Sequence, residues 1–69
     1  MRYSWEVLEP SRLIPGQHEP LTPPWTDIED ADSPQEVAAR MVSHLLPGQR
    51  LVIWDHEAVG HHPVLTVDA

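Results

Sequence analysis

A chain of 69 residues without cysteine has room for one small domain. Such a domain buries about 60% of the surface its unfolded form exposes, and this one has neither disulfides nor a thiolate metal cage to reinforce it. Four arginines, no lysine and eleven carboxylates leave a formal charge of −7, which repels phosphate backbones and argues against direct nucleic-acid binding by clustered cations. No apolar run approaches the ~20 residues that span a bilayer, and Arg2 and Glu6 interrupt the stretch where a signal sequence needs apolar residues. The expectation is an unexported, cytoplasmic protein without membrane contact.

Tyr3, Trp5 and Val7 alternate with Arg2, Ser4 and Glu6, the period of two of a strand with one buried face; a first strand is predicted over 2–9. Five prolines and one glycine between positions 10 and 24, followed by the carboxylates Asp27, Glu29, Asp30 and Asp32, read as a proline-rich and acidic loop over 10–32. Loops of this length are usually functional or flexible. The acidic residues sit just ahead of a helix start, where each is favoured by the helix dipole by about 0.3–1 kcal/mol. Their spacing lacks the glycine and final glutamate of a calcium loop.

Ser33-Pro34-Gln35-Glu36 is a helix-start signature. Ser33 can accept from the N–H of Glu36, Pro34 suits the first helical position, and Glu36 can reach back to the Ser33 N–H. Pro47 ends the run, so the helix is predicted over 34–46 with an apolar stripe of Val37, Ala38, Met41, Val42 and Leu45. Glu36 and Arg40 are spaced for an i,i+4 pair. Arg50-Leu51-Val52-Ile53-Trp54 reads as a central strand buried on both faces, and Val64-Leu65-Thr66-Val67 as its hairpin partner; these strands are predicted over 50–55 and 63–68. The fold class is therefore α+β, a small β-α-β-β domain with one helix packed on a three-stranded sheet. The first strand reaches that sheet through a right-handed crossover. Trp5, Trp25, Trp54 and Tyr3 are expected to supply much of the core.

Asp55-His56-Glu57-Ala58-Val59-Gly60-His61-His62 superficially resembles the His-Glu-x-x-His metalloprotease motif. Three residues separate Glu57 from His61, however, which rotates the second ring about 100° further round a helix, and Gly60 and Pro63 disfavour a helix altogether. As a loop, the segment offers His56, His61 and His62 as candidate ligands for zinc, nickel or copper. Protonating all five histidines would change the formal charge from −7 to −2. Catalysis has no visible basis: the chain lacks a cysteine nucleophile and a phosphate-cradling glycine loop, and Ser4, Ser11, Ser33 and Ser43 have no nucleophile context.

The expected function is that of a small acidic protein-interaction or regulatory module, without catalytic activity or cofactor. Its partner would be another protein or a second copy, met through a bare sheet edge. A second candidate surface is Leu21, Pro23, Pro24 and Trp25, presented to an aromatic groove in polyproline II form. The alternatives are a metal-binding module built on the histidine loop and an acidic inhibitor that imitates nucleic acid.

Overall fold

Six elements follow one another in the computed structural model, which describes residues 1–60 and 62–69. They are β1 (Arg2–Pro10), β2 (His18–Asp30), α1 (Pro34–Met41) with a 3₁₀ turn at Val42–His44, β3 (Arg50–Asp55) and β4 (Leu65–Asp68). The four strands form one antiparallel sheet in the order β2-β1-β3-β4. The α+β class is as expected, with a four-stranded sheet in place of a three-stranded one and the order β-β-α-β-β in place of β-α-β-β. The crossover through the helix joins β2 to β3, with β1 lying between them.

The extra strand comes from the segment expected to be a loop. Residues 11–17 make a closed turn instead: Ser11 N–H donates to the Gln17 carbonyl at 2.8 Å, and the Ser11 hydroxyl accepts from the N–H groups of Leu13 and Ile14. Gly16 supplies a φ of +82° that other residues rarely adopt. The chain then returns along β1, pairing Pro10 with His18 through Leu8 with Pro20, and Val7 with Trp25 through Arg2 with Asp30. Residues 21–24 loop out where the register shifts between Val7 and Leu8. Prolines concealed this strand because they mark an edge as readily as a loop. Pro20 sits where the N–H would point away from β1, so its absence takes nothing from the pairing.

The α-helix is shorter than the predicted span. Ser33 Oγ accepts from Glu36 N–H at 3.2 Å, as the start signature requires, but the Glu36 carboxylate takes the N–H of Asp32 at 2.9 Å rather than that of Ser33. At the other end Leu46 N–H donates to Gln49 Oε1 at 2.8 Å, and Pro47 has no N–H. The carbonyls of Val42 and Ser43 thus lose their α-helical donors together. The chain tightens into the 3₁₀ turn, closed by Leu45 N–H on the Val42 carbonyl at 3.3 Å.

Facing residues across antiparallel strands share a face. One face carries Tyr3, Trp5 and Val7 of β1 with Leu51 and Ile53 of β3. Val37 and Met41 of α1, and Ala31, close over them to make the core, with Leu21, Trp25, Ala38, Leu45, Leu65 and Val67 packed around it. Val42 is rotated off the helical stripe and lies exposed. Trp54 belongs to the opposite face and is only half-buried, unlike Tyr3 and Trp5. Trp25 meets Trp5 edge to face at a centroid distance of 5.9 Å, a geometry worth about 0.5–1.5 kcal/mol beyond area burial.

Candidate functional site

A four-stranded open sheet has two edges, and in this molecule they differ. Along β2, Pro20 offers no N–H to an incoming strand and residues 21–24, including Pro23 and Pro24, loop out of register. The exposed Asp27 and Asp30 add charge to the same strand. These are the usual means of blunting an edge. On the other side β4 is four regular residues, Leu65-Thr66-Val67-Asp68, with neither proline nor bulge among them.

Alternation fixes which backbone groups of β4 are engaged. Ala69 N–H donates to the Gln49 carbonyl at 2.9 Å, so the odd-numbered Val67 also turns its backbone toward β3, while Thr66 and Asp68 turn theirs outward. The side chains alternate too. Leu65 and Val67 pack half-buried against the core beneath α1, and Thr66 and Asp68 lie exposed on the other face. Asp68 is held by Arg50 of β3, whose Nε donates to Oδ1 at 2.6 Å and whose Nη2 donates to Oδ2 at 3.3 Å. That forked contact, with its charge assistance, pushes the Asp68 carboxyl below the ordinary range and the Arg50 guanidinium above its own.

Among the described residues, four carboxylates have an arginine partner: Glu29 and Glu36 on Arg40, Asp30 on Arg2, and Asp68 on Arg50. Seven of the eleven remain, namely Glu6, Glu9, Glu19, Asp27, Asp32, Asp55 and Glu57. None of these lies on β4. Glu9 and Glu19 face each other directly across β1 and β2 at the rim of an open hollow of about 590 Å³, which Arg12, Leu21, Thr22 and Pro23 also line.

The proline-rich surface suggested by the sequence is split by the fold. Pro23 and Pro24 are exposed, whereas Leu21 and Trp25 are half-buried and pack against the core. Of the three histidines suggested as metal ligands, His61 lies outside the described residues. His56 and His62 are exposed in the connection from β3 to β4. Asp55 there organises the turn, accepting Glu57 N–H on Oδ1 at 3.0 Å and Ala58 N–H on its carbonyl at 3.3 Å. Among the described residues no three histidine, aspartate or glutamate side chains come close enough to hold an ion. Of the described helices, none is long and apolar enough to cross a membrane. The open edge at β4 has no motif to announce it, since being outermost is a property of the pairing order and not of the four residues themselves.

No protein-family model matches the chain, and no curated protein or solved structure matches it either.

Proposed function

We propose that this chain is a non-catalytic protein-interaction module that takes up an added β-strand along β4. The observation carrying the reading is the asymmetry of the edges: β2 is closed by proline, looped-out residues and charge, and β4 is not. Main-chain groups of Thr66 and Asp68 would supply the hydrogen bonds of the added strand. Leu65 and Val67 would extend the apolar layer under the helix. Electrostatics favour the same edge, because the seven carboxylates without arginine partners are carried elsewhere.

A short peptide of alternating valine and threonine, with a lysine at each end to suit the acidic chain, is a direct probe. Titrated into the ¹⁵N-labelled protein, it is expected to shift the amide signals of Thr66 and Asp68 while leaving those of β2 in place. The Thr66→Pro variant, which lacks the outward N–H, is expected to lose the response. Shifts confined to β2, or no shifts at millimolar peptide in a sample shown to be monomeric, would overturn the reading.

A further inference from the structure

We infer that the strand added along β4 is β4 of a second copy, paired antiparallel about a two-fold axis through Thr66. This rests on the strand-addition reading above and names its occupant. Parity restricts the possible registers, because facing residues must lie on the same face of a continuous sheet. With Thr66 on the axis, Leu65 faces Val67 of the second copy, and the reverse pair repeats the contact. Both are half-buried apolar side chains beside the core, so each core is continued into the other. On the opposite face the two Thr66 side chains meet, one of the favourable cross-strand pairings.

The neighbouring register, centred on Val67, puts Leu65 opposite Ala69 and Thr66 opposite Asp68. It gives up one of the two large apolar pairs and sets a hydroxyl against a carboxylate already occupied by Arg50. The hydrogen-bonding groups favour Thr66 as well. Its N–H and C=O both turn outward, so two copies can exchange a reciprocal pair of bonds on the axis.

A two-fold axis perpendicular to the sheet leaves both helices on the same side. Val64, 46% exposed, precedes β4, and Leu46, 65% exposed, opens the turn whose Gly48 N–H donates to the Ala69 carbonyl at 3.1 Å beyond the other end of β4. Antiparallel pairing brings the Val64 end of one copy to the Leu46 end of the other. Two chains of charge −7 repel, but they would meet along the strand whose single carboxylate is paired with arginine. At physiological ionic strength the remaining charge is screened over about 8 Å.

Sedimentation equilibrium across a concentration series tests the inference on the intact chain. The expected mass rises to twice 7.8 kDa. Thr66→Pro should weaken the dimer by about tenfold or more, since symmetry removes two hydrogen bonds of about 1 kcal/mol each. Thr66→Lys, which puts like charges opposite each other, should weaken it in a salt-dependent way; circular dichroism confirms that each variant is folded. In a chain without native cysteine, Thr66→Cys should cross-link to itself under mild oxidation and Asp68→Cys should not, because only the axial pair comes within disulfide reach. A monomer at every concentration whose β4 amides still respond to the peptide overturns self-pairing alone, and a monomer that ignores the peptide overturns strand addition too. A dimer indifferent to both Thr66 variants, or one in which Thr66→Cys stays reduced, overturns the proposed interface.

Discussion

Leu51 and Ile53 have no exposed surface and lie on a strand with neighbours on both sides, so truncating either leaves a void that little can fill. Leu51→Ala is expected to cost about 2–5 kcal/mol and Ile53→Val about 0.5–1.5 kcal/mol. In a chain of this size the first is a large share of total stability, and urea denaturation should show little folded protein at 25 °C. Glu29 is a second sensitive point, reached by different physics. Its Oε2 accepts from Trp5 Nε1 at 2.7 Å and its Oε1 from Arg40 at 3.1 Å, joining β1, β2 and α1. Glu29→Ala leaves the indole N–H of Trp5, a residue only 4% exposed, without its partner and should cost about 1.5–3 kcal/mol, with a changed tryptophan emission spectrum. Asp68 gives a pH signature. Its carboxyl is lowered by Arg50, so its contribution is complete above the ordinary carboxylate range and disappears as pH falls through the lowered value. Acid titration by NMR should show the Asp68 midpoint below that of free aspartate, returning upward in Arg50→Ala. Trp5 could be read as a core residue from alternation alone. Nothing in the sequence separated Trp54 from it, because the two faces of β3 carry equally apolar side chains.

At the scale of elements, the helix start was legible to the residue, since a cap and its proline act within a single turn. Ser33→Ala is expected to destabilise by about 1 kcal/mol, a shift visible in thermal unfolding. The helix end was less legible. It depends on Gln49, beyond the helix, taking the Leu46 N–H. β2 is not legible in the sequence because its prolines suit a loop as readily as a sheet edge. Their actual role is to sit on an edge, and that role can be tested. Replacing Pro20, Pro23 and Pro24 together with threonine should open the β2 edge and produce concentration-dependent aggregation, followed by light scattering, where the native chain remains clear. Of the interaction surface suggested at Leu21, Pro23, Pro24 and Trp25, half is occupied by packing against the core. Period-two burial along β2 was obscured by the looped-out residues between its two paired halves.

For the whole molecule, charge and topology act on association in opposite directions. An open edge invites pairing, and a net charge of −7 opposes it. Raising salt from about 10 mM to 150 mM shortens the Debye length from roughly 30 Å to 8 Å, so self-association measured by sedimentation should tighten over that range. An interface dominated by ion pairs would loosen instead. Sequence alone determined the alternation of β1, the start of α1, the apolar run of β3 and the acidic balance, because each depends on side-chain type within a few residues. Only the tertiary structure decided that β2 returns beside β1, that β3 lies between β1 and β4, and that β4 is left outermost. A strand's alternating pattern specifies which side it buries but not which neighbour it pairs with. That choice is made by contacts between residues distant along the chain, and with it which edge of the sheet is left unpaired.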